Sequence, residues 1–271
     1  MCTLTYILHE QGYQLFFNRD EQRSRPIALP PQRVNIKTVD NESGNVESNK
    51  QQPKPSQTTN SATITATYPI DPTGKGTWLA VTEKGLSLAL LNNYQAAVHV
   101  ATNTSSKLIS RGQLILTLLQ SNTPIEQQLN NMDLKQYNPF QLCIFPEGLT
   151  ANKEAVRSLK WDGQSLSSPV FSLPITSSSV DFDNVVQKRR QKFEALVSKD
   201  IACNNTSAQH KTFHYSSDSA GKYSVNMRRN DAMTVSISHI SVTSEGNNKI
   251  NASPEVTFDY FDNVKKVMHS M

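Results

Sequence analysis

Cysteine is scarce in this sequence, and its placement excludes more than it supports. Three residues, Cys2, Cys143 and Cys203, are spread through 271 positions. An odd number at wide spacing gives no disulfide framework. With no CxxC pair there is no signature of a structural zinc site. Long apolar runs are also missing: nothing approaches the ~20 residues needed to span a bilayer. The first eight residues lack the basic flank and apolar core of a secretory signal. Charge of one sign is weak as well, with 27 Lys and Arg against 23 Asp and Glu for a net +4. It gives little support to a nucleic-acid or polybasic membrane role. The densest basic group, Arg189 and Arg190 with Lys188 and Lys192, reads as the wet face of a helix. These absences lead to the expectation of a soluble protein of a reducing compartment, the cytoplasm.

One stretch is poor in large apolar side chains. From Val39 to Ala62, "VDNESGNVESNKQQPKPSQTTNSA" is dominated by Asn, Ser, Gln, Lys and Pro. It cannot offset its ordering entropy by burial and is expected to be a mobile insertion at 39–62 in a single domain spanning 1–271.

What is present is strand. Residues 2–8 and 13–19 flank the turn-like His9-Glu10-Gln11-Gly12 and read as a hairpin. "GTWLAVTEKGLSLALLNNY" reads as another, turning at Glu83-Lys84-Gly85. "FQLCIF", the pair 155–161 and 165–171, and a hairpin turning at Asn230-Asp231 follow. In "EVTFDYF", Val256, Phe258 and Tyr260 alternate with polar neighbours. Helices are expected in "SRGQLILTLLQ" after Ser110, in "IEQQLNNM" after Pro124, and in "DNVVQKRRQKFEALVSK". The last places Val186, Phe193, Leu196 and Val197 on one face. The class is α+β, two antiparallel sheets with helices packed outside them.

If Leu8 and Tyr13 close the first hairpin, paired positions sum to 21, and Cys2 faces Arg19. Cross-strand partners share a face, so a guanidinium sits beside a thiol and favours the thiolate. Asp20, expected just past the strand end, can hold an ammonium group. A Met followed by a residue as small as Cys is normally removed, which leaves Cys2 with a free amine able to accept a proton near neutral pH. Nucleophile and base then belong to one residue. The plainer alternative is a Cys2 packed as a small hydrophobe beside a solvated Asn18-Arg19-Asp20-Glu21 strand end. Trp78 reads as a core or pocket-lining aromatic, and Cys143 as an inert core thiol. The histidines read as surface or loop residues, with His214 and His239 the better site candidates.

Seven stretches, among them "MCTLTYI", "FFNRDEQRSRP", "GTWLAVTEKGLSLALLNNY" and "SVNMRRNDAMTVS", resemble in order the NRDE (transport and Golgi organisation protein 2-like) family. That family is similar to the cysteine group of N-terminal nucleophile hydrolases, which includes penicillin V acylase and conjugated bile acid hydrolase. The resemblance implies a four-layer αββα sandwich and hydrolysis of a linear amide, with Cys2 as nucleophile. It implies Arg19 and Asp20 in the site, and Asn93 as an oxyanion donor with Asn92 the fallback. Asn18, Glu21, Asn92 and Arg228 are the implied substrate-binding residues. Arg19 and Asp20 are adjacent where the acylases separate them by two, so both reach one site only if the strand ends or bulges at Asp20. Serines at 177–179 stand where the acylases supply a second Asn. No metal or cofactor is expected for the hydrolase. The alternative implied by the family is a non-catalytic protein that binds or transfers haem or an acyl ligand. A structural trafficking role is the weakest of the three.

Overall fold

The structure, a computed structural model, describes residues 1–38, 62–96, 108–197, 206–217, 221–244 and 253–271. The expected mobile insertion and Cys203 lie outside the described residues, apart from Ala62. In chain order the first strands are β1 (Cys2–His9), β2 (Gly12–Gln22), β3 (Leu29–Lys37), β4 (Thr63–Ile70), β5 (Leu79–Thr82) and β6 (Ser87–Asn92). They are followed by β7 (Phe140–Phe145), β8 (Arg157–Trp161), β9 (Leu166–Ser167), β10 (Ile175–Ser177), β11 (Ala232–Thr243), β12 (Glu255–Asp262) and β13 (Val267–Ser270). The helices are α1 (Arg111–Leu118), α2 (Ile125–Asn131), α3 (Phe182–Leu196) and α4 (Ser207–Tyr215).

Two antiparallel sheets result, ordered β10-β1-β2-β11-β12-β13 and β3-β4-β5-β6-β7-β8-β9. Alternation along each strand gives both sheets an apolar inner face, and the seven-stranded sheet a second apolar face outside. The inner faces, with Leu4, Leu15 and Phe17 from one sheet and Leu79, Val81 and Phe145 from the other, form the central core. The outer face of the seven-stranded sheet packs Leu88, Leu90 and Leu142 against Leu114, Ile115 and Leu118 of α1 and Leu129 of α2. Helices α3 and α4 cover the other sheet. Each fully buried Leu or Phe contributes roughly 1.5–3 kcal/mol relative to exposure. The expected αββα sandwich is the observed architecture.

The first hairpin closes as its residue pattern requires: Leu8 pairs with Tyr13 and Cys2 with Arg19. β2 runs on to Gln22, three residues past the expected end. β3, absent from the sequence reading, carries Pro30 and Pro31, which lack ladder donors; it is accommodated as an edge strand with a register shift between Leu29 and Gln32. At its far end Thr38 donates to the carbonyl of Ala62 through its backbone N–H at 2.8 Å and its hydroxyl at 2.9 Å.

α4, like the short β10 and β13, is also missing from the sequence reading. Its start is fixed by a capping box between Thr206 and Gln209. Its buried face is polar: His210 and His214, four residues apart, lie against the sheet, contrary to a surface role. Asn18 Nδ2 donates to the carbonyls of His214 at 2.9 Å and Val225 at 3.0 Å. Asn18 Oδ1 is therefore the acceptor that faces His214 Nδ1 at 2.7 Å. His214 Nε2 then accepts from the Thr5 hydroxyl at 2.8 Å, and Thr5 Oγ1 accepts from His210 Nδ1 at 2.8 Å. Phe16 stacks against His239 at 4.5 Å and His214 at 5.7 Å between ring centroids. Burial pulls His210 and His239 down to about 4 and His214 well below its ordinary value, with neighbouring cationic groups adding to the fall.

These imidazoles stay neutral in the folded chain but take up protons near pH 6.5 when unfolded. Their contribution is therefore intact above pH 6.5 and is lost as the pH falls toward 4. Urea unfolding at pH 7.5 and pH 5 is expected to show a loss on the order of a few kcal/mol, reduced in His239→Phe. A flat profile over that interval would contradict the network.

Candidate functional site

Cys2 is the first residue of β1, flanked on both sides. Its Cα partners are Arg19 on β2 and Ser177 on β10. The backbone of Met1 and Asp20 is doubly bonded, Asp20 N–H to Met1 O at 2.9 Å and the Met1 amine to Asp20 O at 3.3 Å. Antiparallel ladders alternate bonded and non-bonded pairs, so Cys2 and Arg19 form a close non-bonded pair. The same alternation turns the Cys2 nitrogen toward β10. Met1 itself is buried with Met227 and Ala232, its sulfur 2.7 Å from Ser178 Oγ.

The thiol opens into a cavity of about 440 Å3 between the strand ends. Arg19, Glu21, Arg25, Asp71, Trp78, Asn92 and Arg111 also line it. Arg19 lies over the Trp78 ring at 4.1 Å and bonds Glu21 at 3.1 Å, with Asp71 at 3.7 Å. Arg25 reaches Asp71 at 2.5 Å and Glu21 at 3.7 Å. Burial alone would raise the Asp71 carboxyl, but Arg25, Arg19 and the N–H groups of Thr73 and Gly74 outweigh it and hold it below its ordinary value. The cavity wall depends on two glycines. A Cβ on Gly76 would lie 2.2 Å from the Gly112 carbonyl carbon, and Thr77 N–H donates to Gly112 O at 2.9 Å. Only bare backbone lets the β4–β5 connection lie against the start of α1.

Arg19 favours the thiolate as expected, but burial outweighs it. Burial pushes the Cys2 thiol up; the N-terminal amine and Arg19 pull it back without cancelling that rise, and Asp20 adds to it. A cation saturated by Glu21 and Asp71 has little field left for the sulfur.

Asp20 is not at a strand end, and β2 does not bulge there. The register shift falls on the partner strand, between Thr234 and Ser236 of β11. Strand alternation therefore turns the Asp20 side chain to the helix layer, away from Arg19. There Oδ1 accepts from the Thr234 hydroxyl at 2.5 Å and Oδ2 from Arg189 at 3.3 Å. Arg189 also bonds Thr3. It is wholly buried on α3, which corrects the wet-face reading at that residue, while Lys188 and Arg190 are exposed. The inward face of α3 is Val185 and Arg189, with the neighbours at Val186, Phe193 and Leu196 only partly covered.

Of the other expected site residues, Glu21 and Asn92 line the cavity with Cys2 and Arg19. Asn93 does not. Its Nδ2 donates to the Trp161 carbonyl at 3.1 Å and its Oδ1 is buried without a partner. Asn18 spends its amide on α4 and faces the helix layer, so it does not reach the cavity as a substrate-binding residue. Arg228 is exposed beside an isolated bridge to Met233 and is likewise remote from the cavity lining. His214 and His239 belong to the buried imidazole network instead. Arg189, Arg111 and Asp71 were missed. A carboxylate in a strand facing a helix with one buried position per turn was the available signal for Arg189. Among the described residues no cluster of His, Cys, Asp and Glu could hold a metal ion.

The family model described as Transport and Golgi organisation 2 matches residues 1–251. No curated protein matches the chain. Among solved structures, a variant of conjugated bile acid hydrolase from Clostridium perfringens is similar, with TM-score 0.50 and 13% identity over 100% of this chain and 92% of that one. A second mutant of that hydrolase gives TM-score 0.49 and 14% identity over 100% and 92%. What this chain shares with that hydrolase is the fold, a sandwich of two antiparallel sheets with helices outside.

The Asp20–Arg189 pair gives a direct test. Arg189→Met alone strands a buried carboxylate and is expected to cost about 3–5 kcal/mol in urea unfolding. Adding Asp20→Asn should recover a substantial part of that loss. A loss below about 1 kcal/mol for the single variant would show that the pair does not hold β2 to α3.

Proposed function

The chain belongs to the Transport and Golgi organisation 2 family, and from that premise we propose that it hydrolyses a linear amide or related acyl bond, with Cys2 as nucleophile. The single observation that carries this reading is a thiol at the head of β1, paired with Arg19 and open to a cavity of ligand size. Chemistry requires removal of Met1. With Met1 in place the Cys2 nitrogen is an amide and has no basicity. Once freed, an amine with a pKa of about 8 can take the thiol proton.

Burial raises the thiol in the Met1-bearing chain; once Met1 is removed, the neutral fraction of the amine takes the proton as the sulfur bonds the acyl carbon. The carbonyl oxygen gains the negative charge. Asn92, which lines the cavity and gives one amide N–H to the Tyr94 hydroxyl at 2.6 Å, is the better placed donor to it through its second N–H; Asn93 does not line the cavity. The C–N bond then breaks, and the leaving amine departs with the proton held by the Cys2 amine. Water adds to the thioester, releases the carboxylic acid and restores the thiol. Arg19, Glu21 and Asp71 hold the wall of the cavity in one arrangement.

A second reading is favoured by the raised thiol: the cavity binds an acyl ligand without cleaving it. Haem fits less well, because Cys2 is the one lining side chain able to ligate iron and burial opposes its thiolate. No helix among the described residues is long and apolar enough to cross a membrane. The cytoplasm, where free thiols stay reduced, is the compartment in which we place the reaction.

Intact mass of the purified protein is expected to show Met1 absent. Cys2→Ser should slow turnover of an acyl-amide panel by roughly a hundredfold or more, and an uncleaved N-terminal extension should abolish it. Turnover that survives both changes would refute the mechanism. Binding without turnover in the native protein would select the second reading.

A further inference from the structure

We propose that Arg111 is the specificity residue of the Cys2 cavity, and that the cavity takes an acyl compound carrying a carboxylate at the end away from the thiol. As a statement about substrate it rests on the hydrolase reading; as a statement about binding it stands alone.

The cavity holds three guanidinium groups, and they are not equivalent. Arg19 is neutralised by Glu21 and Asp71, and Arg25 by Asp71 and Glu21. The remaining carboxylate, Asp20, is turned to Arg189. Arg111 has no ion-pair partner among the described residues, and its polar contact is a neutral one, Nη1 to the Pro139 carbonyl at 2.9 Å. That bond orients the planar fork and leaves Nε and Nη2 for another acceptor. Half-buried beside an apolar wall, the group loses hydration without gaining a carboxylate. A planar carboxylate matches the fork in two parallel N–H···O bonds.

The position of Arg111 is also built rather than incidental. It is the first residue of α1, and the following Gly112 is locked against Thr77 by backbone contact. Trp78 and Leu90 supply apolar wall in the same cavity as Cys2 and Arg111. An aliphatic or aromatic acyl stem on that wall, with its carbonyl at Cys2 and its acid at Arg111, uses each lining group once.

Isothermal titration of the full chain bearing Cys2→Ala separates binding from chemistry, with octanoylglycine and its neutral amide, octanoylglycinamide, as probes. Octanoylglycine is expected to bind roughly ten- to hundredfold more tightly, the usual worth of hydrogen bonds to a charged group. Arg111→Gln in the same background should bring the two probes within about twofold. Arg111→Lys, which keeps the charge and guards against a folding defect, should retain part of the preference. Equal binding of the probes, binding of neither, or a preference that survives Arg111→Gln would overturn the assignment. Selective binding by a protein that cleaves neither probe would uphold Arg111 and reject the hydrolase reading. Cleavage of both without selectivity would do the reverse.

Discussion

The buried pair of Asp20 and Arg189 is the constraint on which the site depends. Both side chains are shut off from water, at 1% and 0% exposure. A charge in that position is tolerable only with its partner in place. Because β2 alternates faces, committing Asp20 to the helix layer commits Arg19 to the inner face, beside Cys2. A one-residue slip would exchange the two, placing a carboxylate next to the thiol and a guanidinium against another guanidinium. Arg189 also bonds Thr3 on β1, so one side chain from α3 sets the register of both strands that frame Cys2.

The four-residue run from Asn18 to Glu21 thus serves two layers at once. Asn18 and Asp20 face the helices and are saturated there by α4, Arg189 and Thr234. Arg19 and Glu21 face the cavity and pair with each other. Polar residues at the end of an apolar strand are needed on both sides, for unlike reasons. Outside, they anchor helices whose contact faces are themselves polar. Inside, they form a charged wall whose internal balance leaves Arg111 as the cation without a carboxylate.

Much of the fold could be read from residue patterns, because the governing interactions were local or periodic. The four-residue turn at His9–Gly12 fixed the Cys2–Arg19 register, and two-residue alternation located the core strands. Three features escaped for a common reason: apolar periodicity does not describe polar burial. α4 buries His210, Phe213 and His214 of "HKTFH", and the histidines recur at helical spacing but add no hydrophobic face. Arg189 sits inside a basic run that looks solvated until Asp20 is placed beneath it. β3 carries two prolines, legal only because it lies at an edge. Of the residues expected together, Cys2, Arg19, Glu21 and the fallback Asn92 share one cavity. Asn18, Asn93 and Arg228 lie elsewhere, because the direction of a side chain depends on what packs behind it.

The twin bonds from Thr38 to the Ala62 carbonyl have a consequence for how this chain can vary. They bring the two ends of the intervening stretch side by side at the edge of the seven-stranded sheet. The entropy of closing a flexible segment grows only as the logarithm of its length, about 0.6 kcal/mol per doubling. Descendants of this sequence can therefore lengthen or trim the stretch between Thr38 and Ala62, or host a foreign module in it, with the Cys2 end of the sandwich left untouched.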